Sequence, residues 1–242
     1  MESLEYLNLK VTGIKELSSS VHHLNKLSEL VLSNCRKLEK LPSSICKLKS
    51  LRLLNLASCS NLVEFPVISE TMESLEVLIL VRTGIKELPS TSIQHLTMLK
   101  TLDLDGCDNL QVLPSSIRSL HCLETLSLSG CPRIEKLPPL ADMCSLTKVY
   151  LNHCTNLFDI PKDIGYLSSL SHLSLKGSNI KNIPTSIKDL STLISLDLSD
   201  CKKLQSLPEL PPFLQHLYVL DCPSLAMVPS SEISTRQDWG KV

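Results

Sequence analysis

The chain has few aromatic residues, almost no net charge and no long apolar run. Aromatic residues make up 3% of its 242 residues, whereas hydrophobic residues make up 43%, so any core must be mainly aliphatic. The formal net charge is -1, and charges of both signs are scattered without a long basic or acidic run. Nothing in this balance indicates a nucleic acid or an anionic membrane as a partner.

Signals for secretion and membrane insertion are also missing. No apolar run approaches the roughly 18 residues that a membrane span requires. The first five residues contain neither a basic region nor an apolar region of a signal peptide. None of the ten asparagines begins an N-x-[ST] glycosylation site. These absences favour a protein that is not secreted and does not cross a membrane.

What the sequence does contain is a repeated pattern, L-x-x-L-x-L, which occurs ten times, with Val in place of one leucine in two of the copies. Successive copies begin 21 to 24 residues apart, and a period of about 20 to 29 residues is typical of leucine-rich repeats. We therefore predict an α/β solenoid, a leucine-rich-repeat horseshoe of about ten repeats over residues 1–229, followed by a tail at 230–242. A parallel sheet should line its concave face, and short helical turns or loops its convex face. The repeats begin at residues 4, 27, 51, 75, 99, 123, 146, 170, 193 and 214.

A single repeat, residues 27–50, shows how one coil should form. Leu30 and Leu32 alternate with polar or outward residues, which is the two-residue period of a strand. Ser43 or Ser44 is expected to cap one short helical turn after Pro42. The ending L-P-x-S-I-x-x-L recurs, fully or nearly, and predicts the same turn in four further repeats. These endings start at Leu88, Leu113, Ile160 and Ile183.

Seven of the ten cysteines occupy one repeat position, eight residues after the first leucine. A thiol packs as a small hydrophobic group and donates weakly, so we interpret these seven as a buried structural ladder. Disulfides between neighbouring rungs and a metal site are alternatives, since adjacent coils place the Cα atoms about 5 Å apart. However, Cys131 has a neighbouring rung on both sides, and no C-x-x-C pair occurs. Unpaired thiols favour a reducing compartment, the cytoplasm or the nucleus. The seven are Cys35, Cys59, Cys107, Cys131, Cys154, Cys201 and Cys222.

Three repeats lack this cysteine and have a turn that is one residue shorter, at residues 11–18, 82–89 and 176–184. Gly13, Gly84 and the segment 177–179 are expected to adopt positive φ angles, which a tighter turn favours.

Cysteine-containing repeats such as residues 126–138, L-x-L-S-G-C-x-x-I-x-x-L-P, are interspersed with the sequence T-G-I-K-E-L-P at 83–89. This mixture resembles the leucine-rich-repeat region of plant intracellular immune receptors, especially the class with a Toll/interleukin-1-receptor-like domain and a nucleotide-binding domain. The resemblance covers roughly residues 4–229. It implies a module that recognises a pathogen effector or a guarded host protein and helps to hold the nucleotide-binding domain inactive. The chain itself has no G-x-x-x-x-G-K-[ST] phosphate loop and no polar cap before its first repeat, so we expect either a fragment of a longer protein or a truncated gene product.

Side chains that point away from the core should form the binding surface. They lie at offsets 2, 4 and 6 from the first leucine of each repeat. Val31 of repeat 2 and most of these residues in repeats 3 and 4 are aliphatic. They predict an exposed patch, which either a partner or another domain of the receptor would cover. Tyr150 and Tyr218 are candidate anchors for a partner. The predicted protein-binding residues are Val31, Leu53, Val77, Ile79, Val81, Asp103, Asp105, Lys148, Tyr150, His172, Lys176 and Tyr218.

Catalysis has little support in the sequence. His172 and His216 are two repeats apart, about 10 Å by strand spacing, which is too far to share a ligand. Asp103 and Asp105 share a face, but a lone carboxylate pair is usually solvated surface. We therefore predict no enzyme activity, no cofactor and no metal site. Two alternatives to the receptor remain: an intracellular leucine-rich-repeat scaffold, whose repeats usually carry Asn at the ladder position, and the substrate-reading part of an enzyme such as a ubiquitin ligase.

Overall fold

The computed structural model describes residues 3–226, which form a stack of ten coils. Each coil contributes one strand of three residues, and the ten strands form a single parallel sheet in sequence order. This confirms the predicted α/β solenoid. The strands are β1 (Tyr6–Asn8), β2 (Glu29–Val31), β3 (Leu53–Asn55), β4 (Val77–Ile79), β5 (Thr101–Asp103), β6 (Thr125–Ser127), β7 (Lys148–Tyr150), β8 (His172–Ser174), β9 (Ser195–Asp197) and β10 (His216–Tyr218).

The strands pair without a register shift. Leu7 lies beside Leu30 at one end of the sheet, and Leu196 lies beside Leu217 at the other. Because the period is nearly constant, residues of equal offset form straight rows across all ten strands. Alternate residues of a strand face opposite sides, so each row is wholly inward or wholly outward.

Short helical turns line the opposite side of the stack. The five L-P-x-S-I-type endings all form such turns, as predicted. The helical turns are Ser19–His23, Ser43–Lys47, α1 (Ser90–Ile93), Ser115–Ser119, Lys162–Tyr166 and Thr185–Asp189.

The predicted capping by Ser43 or Ser44 is wrong. Pro42 occupies the cap position with extended backbone angles, and no side chain caps the turn. Instead, the Ile45 amide donates to the Pro42 carbonyl at 3.1 Å, which closes a tight three-residue turn. Repeats 3, 6 and 9 form no helical turn within the described residues. Repeats 6 and 9 have proline pairs at this place, Pro138–Pro139 and Pro211–Pro212, which remove two backbone donors.

A continuous aliphatic core fills the stack. In repeat 2, Leu30, Leu32, Leu38 and Ile45 are fully buried, and equivalent residues repeat along the array. The terminal repeats are only partly covered, because each has one neighbour instead of two. The last residues of the predicted domain, 227–229, and the tail 230–242 lie outside the described residues.

Every repeat turns through a left-handed residue at offset 7. Its amide donates to the offset-6 carbonyl of the next repeat, as from Asn34 to Ala57 at 2.7 Å. The expectation for Gly13 and Gly84 is therefore wrong, since only Gly177 of the predicted glycines has positive φ. Gly84 is required for a different reason: a Cβ atom there would come 2.5 Å from the Ser60 carbonyl oxygen. The ten left-handed residues are Val11, Asn34, Ser58, Arg82, Gly106, Gly130, His153, Gly177, Asp200 and Asp221.

Candidate protein-binding face

Four aliphatic residues gather on the outer face of β2, β3 and β4. Leu53 lies beside Val77 in the offset-2 row, and the offset-4 row runs from Val31 through Asn55 to Ile79. All four aliphatic side chains are half-buried. We call Val31, Leu53, Val77 and Ile79 the aliphatic patch. Val81, also predicted for this surface, lies in the turn after β4 and so borders the patch.

The outer face of the sheet has no second layer in the described part of the chain. Among these elements, each strand has only strands as neighbours, and each helical turn has only other helical turns as neighbours. The turns send their buried isoleucines, such as Ile45 and Ile117, into the core. Parallel sheets are normally covered on both faces, so an aliphatic patch on this open face is unusual.

The outer face of β5 carries the two predicted aspartates. Asp103 Oδ1 accepts a hydrogen bond from the Asp105 amide at 3.1 Å. Asp105 Oδ1 accepts from the Ser129 amide at 2.7 Å and from the Ser127 hydroxyl. Burial raises the pKa of Asp103. Both carboxylates therefore order the turn after β5, and Asp105 also links it to the next repeat.

Strands β7 and β8 bring the remaining polar candidates together. Lys148 lies beside His172 in the sheet. Two residues further along the same strands, Tyr150 lies beside Ser174. The His172 Nδ1 atom lies 2.8 Å from the Ser171 hydroxyl. Lys176, in the following turn, lies 4.0 Å from the Asp200 carboxylate. These side chains offer a partner both hydrogen-bond donors and an aromatic ring.

Two tyrosines stand at opposite ends of the sheet. Tyr218 is 46% exposed, and its ring lies 6.4 Å from the nearly parallel ring of His216. Tyr6, which sequence reasoning missed, is 51% exposed, and its hydroxyl accepts from the Asn8 side chain at 2.9 Å. The rule that identified the other candidates applies to it, because Tyr6 has offset 2 in the first repeat.

Charged residues border the aliphatic patch where the strands begin. Glu76 lies 3.1 Å from Arg52 and 3.5 Å from Lys100. The hydrogen bond from Arg52 lowers the pKa of Glu76. Exposed ion pairs of this kind contribute little to stability, so their main effect is a polar rim on one side of the patch.

Behind this face, the cysteine ladder joins the coils. Each of the seven thiols donates to the offset-5 carbonyl of the preceding repeat, at 3.0 to 3.2 Å. Leu32 O, for example, accepts from both the Cys35 amide and the Cys59 thiol, which uses both lone pairs. Six of the thiols are buried, and Cys222 in the last repeat is half-buried.

Burial raises the pKa of six ladder thiols, those of Cys59, Cys107, Cys131, Cys154, Cys201 and Cys222. It raises the pKa of Cys59, Cys154 and Cys201 to about 11 each. All ten cysteines are free, so the disulfide alternative is wrong. A structural role is consistent with these neutral, hydrogen-bonded thiols, because reactive cysteines need a lowered pKa.

The three repeats without cysteine keep the ladder in another form. Thr12, Thr83 and Ser178 occupy offset 8, where the sequence analysis saw only a missing cysteine. The Thr83 hydroxyl donates to Leu80 O at 2.9 Å and lies 3.4 Å from the Cys107 sulfur. Leu80 lies in the same repeat as Thr83, so this hydroxyl does not reproduce the bond that a ladder thiol makes to the preceding repeat. A thiol or a hydroxyl nevertheless occupies offset 8 in every repeat.

Within residues 3–226, no three His, Cys, Asp or Glu side chains are grouped as metal ligands. No helix in this part of the chain is both long enough and apolar enough to span a bilayer.

Comparison with solved structures agrees with this architecture. The leucine-rich-repeat domain of the type III effector XopL superposes with a TM-score of 0.72 at 30% identity, covering 88% of this chain and 71% of that domain. A chain of the Toll–Spätzle complex of Drosophila gives a TM-score of 0.71 at 23% identity, covering 86% of this chain and 29% of that one. At that identity the second match shows the fold alone.

Sequence comparison identifies the kind of leucine-rich repeat. A probable disease resistance protein of Arabidopsis thaliana is 38% identical over 115 residues, which are 47% of this chain and 6% of that protein. The general leucine-rich-repeat model matches residues 26–48. The model described as "Disease resistance protein RPS4B-like, leucine-rich repeats" matches residues 47–238. The predicted resemblance is thereby confirmed, and the chain belongs to the leucine-rich-repeat family of plant disease resistance proteins.

Proposed function

We propose that the chain is the protein-recognition module of a plant disease resistance receptor and binds a partner protein through its concave sheet face. The partner is a pathogen effector or a guarded host protein. In the resting receptor the same face would contact the nucleotide-binding domain and help to keep it inactive. The proposed site of action is the cytoplasm or the nucleus, in keeping with the free thiols of the ladder.

The observation that carries this proposal is the aliphatic patch on an otherwise uncovered parallel sheet. Its four half-buried side chains lie on three neighbouring strands, bordered by the polar rim of Arg52, Glu76 and Lys100. An apolar centre with a polar rim is the usual composition of a protein interface. The variation of side chains along the outer rows gives the surface the capacity to discriminate between partners.

The test is a charge placed in the patch. Ile79→Glu should weaken binding at least about tenfold, because the carboxylate must be desolvated against apolar surface. The chain serves as bait in a two-hybrid screen of effector and plant proteins, and binding of each hit to the variant is then measured by calorimetry. Val112→Glu is the matched control, since Val112 is a 48% exposed aliphatic residue away from this face.

A second measurement addresses autoinhibition. In a receptor that carries this region, Ile79→Glu should release cell death in transient expression without a pathogen, whereas Val112→Glu should not. Hits that bind Ile79→Glu as tightly as the native chain, together with a receptor that stays silent, would refute the concave face as the binding surface.

A further inference from the structure

The repeats with short turns leave recesses at the edge of the sheet where the strands end. A cavity of about 410 Å³, which we call the first notch, is lined by Val11, Thr12, Gly13, Asn34, Arg36 and Lys37. A second notch of about 340 Å³ has Arg82, Gly84 and Asp108 among its lining residues. Gly13 and Gly84 have the same offset, in repeats 1 and 4, where the turn is one residue shorter. Each notch is therefore a consequence of a shortened turn beside a longer one.

The first notch collects positive charge that no carboxylate of residues 3–226 pairs with. Arg36 and Lys37 form part of its wall, and both side chains are exposed. Neither is within 4.0 Å of a carboxylate anywhere in residues 3–226. Beside them, the Asn34 carboxamide makes no hydrogen bond within the same residues. The recess thus holds two cations and an amide, all available to a ligand.

A basic pair at the same two offsets in repeat 9 makes contacts within the chain. Lys202 and Lys203 have the offsets of Arg36 and Lys37, but Lys202 lies 3.4 Å from the Asp200 carboxylate. Lys203 lies over the Phe158 ring, 5.3 Å from its centroid. Asp200 stands at the offset that Asn34 occupies in repeat 2. The basic pair beside the first notch is therefore not a general requirement of the repeat.

The second notch supplies a comparison of its own. Its backbone is built alike, with Thr83 and Gly84 in place of Thr12 and Gly13. However, Asp108 lines it together with Arg82, so its charges balance. Of these two notches, only the first combines the shortened turn with an excess of cations among its lining residues.

Val11 adds an apolar wall under backbone strain. It has φ of 60°, although the left-handed region is unfavourable for a β-branched residue. Its side chain is 70% exposed. The left-handed conformation is common to offset 7 of every repeat, so what distinguishes Val11 is an exposed aliphatic side chain at the cavity.

We propose that the first notch binds a carboxylate side chain of a partner polypeptide that lies across the concave face. This inference rests on the proposed function. Asn34 of the notch follows Val31 of the aliphatic patch by three residues. An extended segment of three residues spans about 10 Å. A partner segment with an apolar residue over Val31 would place an acidic residue about three positions later at the notch. There the Arg36 guanidinium can hold the carboxylate through two parallel hydrogen bonds.

The test uses the full chain, labelled with ¹⁵N, and the probe acetyl-Glu-Glu-Glu-Glu-amide followed by amide chemical shifts. We expect saturable shifts at Thr12, Asn34, Arg36 and Lys37, which weaken as salt is added. Acetyl-tetraglutamine-amide should cause none. The double variant Arg36→Ser/Lys37→Ser should weaken probe binding about fivefold or more, from the loss of two charge contacts. The matched double variant Lys202→Ser/Lys203→Ser should leave it unchanged.

Three outcomes would overturn the proposal: shifts that avoid the notch, equal shifts with tetraglutamine, or binding that survives Arg36→Ser/Lys37→Ser. Shifts produced only by a phosphoserine peptide would replace the carboxylate with a phosphate and also overturn it. Failure of the proposed function gives a different result, because the tetraglutamate titration does not depend on Ile79. In that case notch binding persists while Ile79→Glu has no effect on any partner.

Discussion

The inner and outer sides of the same ten coils differ in how freely their residues vary. At offset 8, inside, every repeat has a thiol or a small hydroxyl. At offset 4, outside, the row includes Val31, Ile79, Asp103, Tyr150 and Tyr218. The seven inner thiols donate to a carbonyl of the preceding coil, and the Thr12 and Thr83 hydroxyls to one of their own coil. The outer residue contacts no other layer of the described chain. The comparison teaches that the fold constrains one row and leaves the other available for recognition.

The largest expected effect is in the core that supports both rows. Leu128 is fully buried, one residue beyond β6. Leu128→Ala should lower the free energy of unfolding by about 2–5 kcal/mol, because the cavity adds to the lost apolar burial. Thr125→Ala, on the outer side of the same strand, should change it by less than about 0.5 kcal/mol. Urea denaturation measures both, and equal effects would show that the assignment of inner and outer rows is wrong.

A middle-sized effect should follow from breaking one rung of the ladder. Cys131→Ala removes the donor to Leu104 O, 3.2 Å away, and should lower the free energy of unfolding by about 1–2 kcal/mol. Cys131→Ser keeps a donor, as Ser178 does in repeat 8, and should cost less than the alanine. A serine that destabilises more than the alanine would argue that the rung acts through apolar packing alone.

The smallest expected effect is at the outer row. Burial raises the pKa of Asp103, so the folded chain holds this proton more tightly than the unfolded chain does. This contribution favours folding below the unfolded pKa, about 3.9, and is lost as the pH rises through the folded pKa. Asp103→Asn should therefore stabilise the folded chain at pH 7, which would be seen as a slightly higher melting temperature. The gain in the free energy of unfolding should be less than about 1 kcal/mol, because the site is partly exposed.

The pH dependence of the stability of Asp103→Asn tests whether the charge of the Asp103 carboxylate causes this effect. The advantage of Asp103→Asn should disappear near about pH 3, where the native carboxyl is protonated as well. An asparagine that destabilises the chain at pH 7 would show that the charged carboxylate, with its bond from the Asp105 amide, contributes more than its burial costs.

Most of the fold follows from the sequence because it repeats. The leucine period gave the start of each coil, and the L-P-x-S-I-x-x-L endings gave five of the helical turns. Outward positions such as Val77 and Tyr150 followed from strand alternation. That these residues bind a partner remains a prediction, since burial and register show only where they lie.

What the sequence analysis missed depends on contacts between coils. The hydroxyls of Thr12 and Thr83 meet the ladder thiols of the next coil, at 3.2 Å from the Cys35 sulfur and 3.4 Å from the Cys107 sulfur. Gly84 is needed because another backbone passes next to it, which no pattern within one repeat reveals. The first notch likewise arises from the difference in length between two adjacent turns.

The burial of the ladder also makes the protein easy to modify at one place. Of the ten cysteines, Cys144 alone is exposed, and it lies in the turn that leads from repeat 6 into β7. A maleimide dye applied near neutral pH should attach there first, because the buried thiols are not accessible to it. The native chain therefore carries a reporter position outside the strands of the face proposed for recognition, without any engineered cysteine.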